Sequence, residues 1–242
     1  MEGRQAAALF TVISGLALAG CGHSHCDFCD ADPSGIYEGS LTDNVTRQST
    51  PAVAVIDENG DGRMMAQSGT YYRFSVNTSG FDVFGNVLAF PGDGSTANGS
   101  LNGSLTQSGL NATLSANGSN PAALALNFDN NYFLASSLPT LAGTWSASNS
   151  SGFKLSLSIQ SSGAFSGTDS NSCSYSGFFS LVNPNFNAYS ESFTQTCGSA
   201  GSSYSGLAYF IPAAGSGSNV TPAMINFLAD DNGGHFVSAL LQ

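Results

Sequence analysis

Apolar and polar residues alternate one by one over much of the chain. Phe153, Leu155, Leu157 and Ile159 are separated by Lys154, Ser156 and Ser158, and Leu124, Leu126 and Phe128 by Ala125 and Asn127. A period of two places successive side chains on opposite faces of a half-buried strand. The runs are short and are divided by turn-forming clusters: Glu58-Asn59-Gly60-Asp61-Gly62, Ser161-Ser162-Gly163, Asn183-Pro184-Asn185 and Asp231-Asn232-Gly233-Gly234. That spacing is the spacing of hairpins. No window carries a convincing amphipathic helix, so the chain is expected to be all-β.

The pattern recurs. Ser34-Gly35-Ile36-Tyr37 returns as Ala142-Gly143-Thr144-Trp145, and Ala125-Leu126-Asn127-Phe128 returns as Met224-Ile225-Asn226-Phe227. After each of the latter comes a turn and an apolar segment read as a strand, Tyr132–Ala135 in one case and His235–Ser238 in the other. The expectation is two related antiparallel β units, residues 35–137 and 138–242, each of about eight or nine short strands. Small up-and-down barrels or meander sandwiches fit, because closing a sheet removes exposed edges. The alternation is too broken, and the strands too short, for a membrane-spanning barrel.

Residues 21–34 lack any periodicity and read as a tether. Before them Arg4 and the amino terminus precede an apolar run from Ala6 to Ala19, which ends in Leu18-Ala19-Gly20-Cys21. Length and order are those of a cleavable signal peptide over residues 1–20, too short for a membrane span. The four residues Leu18-Ala19-Gly20-Cys21 resemble the lipobox of bacterial lipoproteins. That resemblance implies a diacylglycerol on the Cys21 sulfur, cleavage just before it and acylation of the new amino group. Several acyl chains on one residue give stable anchoring, where a single chain is marginal. Gly22 stands where an Asp would imply inner-membrane retention in this class, so the expected address is the outer membrane of the cell envelope.

Charge narrows the partners. The chain carries a formal net charge of −11, and removing residues 1 to 20 takes away only Arg4 and Glu2. Nucleic acid and anionic lipid surfaces are therefore excluded as expected partners. Only 9% of residues are charged, with Gly, Ser, Asn and Thr at the polar positions, which again argues against helices. The apolar content still suffices for a core.

Cys21 apart, four cysteines remain, an even number for an oxidising compartment. Cys173 and Cys197 flank a candidate hairpin whose centre falls on Asn185, so strands folding back there bring the two sulfurs opposite each other. Cys26 and Cys29 form a CxxC with His23 and His25 beside it. A local disulfide is the leading reading of that pair. A Zn²⁺ or Cu⁺ site is the alternative, against which stands the lack of a second shell so close to the anchor.

Asp57-Glu58-Asn59-Gly60-Asp61-Gly62 resembles the first half of an EF-hand calcium loop, in which Asp57, Asn59 and Asp61 would converge on one cation. The resemblance stops there, since Ser68 occupies the twelfth position and Ala52–Ile56 reads as a strand. A hairpin between Val53–Ile56 and Arg63–Gln67 explains the same residues, with Gly60 and Gly62 supplying positive φ. For hydrolysis a serine needs a base, and His235 alone lies within the β units, in the last expected strand. No Gly-x-Ser-x-Gly elbow occurs. Asp230 and Asp231 are assigned to a turn. No cofactor is implied and the protein is read as a non-enzyme.

The expectation is a membrane-anchored envelope lipoprotein with a binding or structural role toward an envelope protein. The alternative is a lipocalin-like carrier of a small apolar ligand, lined by aromatics such as Tyr71, Tyr72, Phe74, Phe81, Phe84 and Phe90.

Overall fold

The computed structural model describes residues 30–215 and 220–242, and they form two eight-stranded antiparallel meanders. The first comprises β1 (Gly35–Asp43), β2 (Ser49–Ile56), β3 (Asp61–Ala66), β4 (Tyr71–Ser79), β5 (Asp82–Phe90), β6 (Ala97–Thr106), β7 (Gly109–Ala116) and β8 (Ala122–Asp129). Each strand pairs with the next, and β1 pairs with β8 from Ile36↔Asp129 to Asp43↔Ala122, which closes a barrel. The second comprises β9 (Gly143–Ser148), β10 (Lys154–Ile159), β11 (Ala164–Asp169), β12 (Ser174–Leu181), β13 (Tyr189–Cys197), β14 (Ala200–Ile211), β15 (Met224–Asp230) and β16 (Phe236–Leu241). Its outer strands meet through one reciprocal backbone pair, Ser146 N to Gln242 O at 2.9 Å and Gln242 N to Ser146 O at 2.8 Å, so this barrel is nearly closed. Of the two architectures compatible with the alternation, the barrel is the one adopted.

Alternation fixes what each wall buries. In the first barrel Tyr37, Leu41, Ile56, Met64, Phe74 and Leu101 point inward with other apolar side chains and fill the interior. In the second, Leu155, Leu157 and Ile159 of the alternating run join an aromatic core in which the Phe193 ring lies 5.2 Å from Phe227 and 5.0 Å from Tyr204. Packed apolar and aromatic side chains occupy both interiors.

One turn recurs, and its residues explain it. In the four segments beginning at Asp57, Asn149, Asp169 and Asp231, the first side chain accepts the backbone N–H groups of the second and fourth residues beyond it, at 2.7 to 3.1 Å. The third residue beyond has positive φ: Gly60 (78°), Gly152 (88°), Ser172 (65°) and Gly234 (114°). This is a three-residue hairpin loop with a left-handed closing position, where an Asx side chain holds donors the bent backbone leaves free. The expectation for Gly62 is corrected. Only Gly60 has positive φ; Gly62 lies within β3 on its inward side, where a Cβ would sit 2.0 Å from the Phe74 ring. Gly62 makes room for an aromatic ring and does not turn the chain.

The internal repeat holds at its beginning and fails at its end. Gly35 and Gly143 each open the first strand of a barrel, and the aromatic residue two positions on bonds back to a carbonyl: Tyr37 OH to Pro33 O and Trp145 Nε1 to Leu141 O, both at 2.8 Å. The later match joins unlike strands, since Ala125–Phe128 lies in the eighth strand of its barrel and Met224–Phe227 in the seventh of the other. Tyr132 and Phe133 belong to a 3-10 turn, Asn130–Phe133, whereas Phe236–Ser238 begins a strand. Any half-buried strand shows the same alternation, so similarity of pattern there does not fix equivalence of position.

The barrels are docked through their outer faces. Ile36, Val55, Tyr71 and Phe90 of the first meet Leu207, Tyr209 and Leu228 of the second, and the Tyr71 and Phe236 rings stack at 5.2 Å. The connector after β8 is tied to the second barrel by Asn187, which donates to Asn131 O (3.1 Å) and Phe210 O (2.6 Å) and accepts from Phe210 N (3.0 Å). Tyr132 stacks on Phe186 at 4.9 Å.

Candidate functional site

Cys21, His23, His25, Cys26 and Cys29 lie outside the described residues. Cys173 and Cys197 are joined in a disulfide with Cα atoms 4.3 Å apart. The β12–β13 register runs from Ser174↔Thr196 to Leu181↔Tyr189, so the hairpin is centred on Asn185 and the cysteines stand one step beyond its last pair.

Asp57, Asn59 and Asp61 do not converge. Asp57 Oδ1 accepts from Asn59 N and Asp61 N, and Asp57 Oδ2 accepts from the Asn59 amide at 3.2 Å. The Asp61 carboxylate is half exposed and lies 3.7 Å from Arg63 NH1. Asp57 is turned inward onto its own loop and Asp61 outward to an arginine, so the half motif is a hairpin device.

His235 and Asp231 also belong to a turn, with Nδ1 and Oδ2 at 2.8 Å. Burial opposes ionisation of Asp231, but the His235 and Gly233 donors outweigh it and hold the carboxyl below its ordinary range. Asp230 needs a correction. It is the last residue of β15, not part of the turn, and it is wholly buried between the barrels. Arg73 NH1 donates to its Oδ1 at 2.9 Å and Tyr71 OH to its Oδ2 at 3.1 Å, while Arg63 Nε stands 3.5 Å from Oδ2, a charge contact and not a hydrogen bond. Arg73 also bonds Asn232 Oδ1. Two of the chain's five cations thus converge on one carboxylate. Burial pushes the Tyr71 hydroxyl well above its usual range, partly opposed by Arg63. Sequence reasoning missed this cluster because Asp230 is 157 or more residues from its partners in the first barrel, although an Arg at each of two neighbouring strands hinted at a charged face.

The aromatics expected to line a ligand cavity part into three groups. Tyr72 and Phe74 fill the first barrel, Tyr71 and Phe90 lie between the barrels, and Phe81 and Phe84 are exposed. Two of the concave features on the described surface bear on binding. One, on the second barrel, is an open trough of about 690 Å³ in which Leu155 and Ala147 of the barrel's core meet Ser146, Ser156, Thr168 and Lys154. The other is a groove of about 160 Å³ at one end of the first barrel, lined by Tyr37, Phe81, Leu105 and Phe128. Phe133 packs against Phe128 at 5.2 Å. The start of the described chain is fastened beside this groove: Gly80 N donates to Asp30 Oδ1 and Ala31 N to Gly80 O, both at 2.8 Å. Residues 30–34, expected to belong to a tether, are thus held on the barrel, and the end that holds them bears the exposed rings Phe81 (71%) and Phe133 (63%).

Compared with protein-family models, curated proteins and solved structures, the chain matches none.

Proposed function

We propose that this protein is a lipid-anchored bacterial envelope lipoprotein whose two docked barrels play a binding or structural part without catalysis. The observation that carries the reading is Leu18-Ala19-Gly20-Cys21 at the end of the apolar run, where signal cleavage has to fall. The described chain then begins at Asp30, so residues 21–29 form a short leash to a barrel end. The filled interiors weigh against a lipocalin-like carrier, which needs a cavity of several hundred Å³ inside one barrel. Gly22, in place of an Asp, favours the outer membrane as the address.

The test is Cys21→Ser. Only the thiol accepts the lipid in this class, so the variant accumulates as an unprocessed precursor that leaves the detergent phase and lacks acyl mass. A variant that is still cleaved and still partitions with detergent overturns the reading.

A further inference from the structure

We infer that the end of the first barrel bearing Phe81, Phe133 and Leu134 lies against the bilayer and seats its aromatic rings among uncharged, zwitterionic phospholipid headgroups. The inference rests on the lipoprotein reading and adds an orientation to it. Phe81 and Phe133 flank Phe128 on one end of the barrel, and Leu134 beside them is also exposed (41%). Exposed large apolar side chains grouped at one end mark a contact surface, where scattered ones do not.

What covers that surface follows from where the leash ends. Asp30 and Ala31 are hydrogen-bonded to Gly80, the residue before Phe81. Residues 21–29 span at most about 30 Å when extended. An acylated Cys21 therefore holds this end within about 30 Å of the headgroups. Phe and Leu side chains on an apolar face bury at the boundary between headgroups and acyl chains. Charge selects the lipid. Asp32 lines the groove, Asp30 bonds Gly80, and Asp82 and Asp129 follow Phe81 and Phe128 directly, whereas no Lys or Arg lines the groove. Anionic headgroups are repelled by those carboxylates, whereas neutral zwitterionic ones are not.

The experiment uses the lipidated full-length protein in phosphatidylcholine vesicles carrying brominated acyl chains. Phe81→Trp and, separately, Phe133→Trp serve as probes, and Phe178→Trp, exposed on the wall of the second barrel (53%), serves as the control. Trp145, the one native tryptophan, sets the background. The expected result is a blue-shifted emission and bromine-dependent quenching at 81 and 133 but not at 178, weakened when phosphatidylglycerol replaces part of the phosphatidylcholine. Vesicle-bound, acylated protein whose position 81 and 133 probes are not quenched overturns the orientation and leaves the lipoprotein reading standing. Protein that carries no acyl mass and does not float with vesicles overturns both. Quenching that strengthens with phosphatidylglycerol overturns the choice of a neutral surface.

Discussion

Glu191 lies on the inward side of β13 between Tyr189 and Phe193, buried among the apolar side chains of the second barrel. Gly206 leaves it space, since a Cβ there would stand 2.7 Å from Oε1. Burial pushes its pKa well above the ordinary value of 4.5, with Arg63 and the Leu228 backbone opposing in part. The folded state therefore holds this proton more tightly than the unfolded state. The resulting stability is complete below about pH 4.5 and is lost as pH rises toward the raised folded value. Glu191→Gln removes the ionisation: it should raise stability at pH 7 by about 1 to 3 kcal/mol and flatten the pH dependence above pH 4.5. Thermal unfolding across pH measures this, and an unchanged pH slope speaks against it. Asp57 gives the contrasting case, a carboxylate whose worth lies in its acceptors. Asp57→Ala loses two backbone hydrogen bonds and should cost about 1 to 2 kcal/mol, while Asp57→Asn keeps an acceptor and is nearly neutral. Millimolar Ca²⁺ should leave the Tm unmoved in all three proteins; a calcium-dependent rise lost in Asp57→Asn would restore the cation site. The turns at Asp57 and Asp231 were legible in the sequence because a turn is local and Gly marks both, whereas those at Asn149 and Asp169 emerged only with the structure. Glu191 was not, since nothing in Tyr189-Ser190-Glu191-Ser192-Phe193 says which barrel wall faces a charge.

At the scale of the element, the β12–β13 hairpin has a register that its sequence alone specifies. Symmetry about Asn185 pairs Cys173 with Cys197, and the turn residues Asn183-Pro184-Asn185 supply the reversal. Replacing both cysteines with serine frees a loop with a sequence separation of 24, so stability should fall by about 3 kcal/mol. Peptide mapping without reductant should recover the two cysteines in one linked peptide; either one found free, or joined to Cys26 or Cys29, contradicts the register. The same local logic found the alternating strands and the opening Gly-x-aromatic step of each barrel. It failed for the second half of the repeat. Alternation states that one face of a strand is buried but not which strand of a sheet it is, so Ala125–Phe128 and Met224–Phe227 looked equivalent while occupying different places. Closure is likewise non-local: eight residue pairs join β1 to β8, while β9 and β16 meet at one, and no short window distinguishes the two cases.

Two barrels behave as one body only if their junction holds, and Asp230 is where that can be tested. Its carboxylate is inaccessible and meets Arg73, Tyr71 and the charge of Arg63, all from the other barrel. Removing one partner of a buried ionic set leaves uncompensated charge. Asp230→Ala strands two arginines, one of them Arg63 with a nearly inaccessible side chain, and should cost about 3 to 5 kcal/mol. Because the set is shielded from solvent, the loss should depend little on salt. Replacing Arg63, Arg73 and Asp230 together by apolar residues of similar size should recover most of it, since an apolar junction needs no desolvation of charge. The single Trp145 reports on the second barrel alone, and far-ultraviolet dichroism reports on both. In the native protein the two signals should lose amplitude at the same denaturant concentration; in Asp230→Ala they should separate, as the barrels lose their common anchor. Coincident transitions in Asp230→Ala, shifted by less than about 1 kcal/mol, would mean that the apolar contacts of Ile36, Val55, Tyr71 and Leu228 hold the junction without the ionic set.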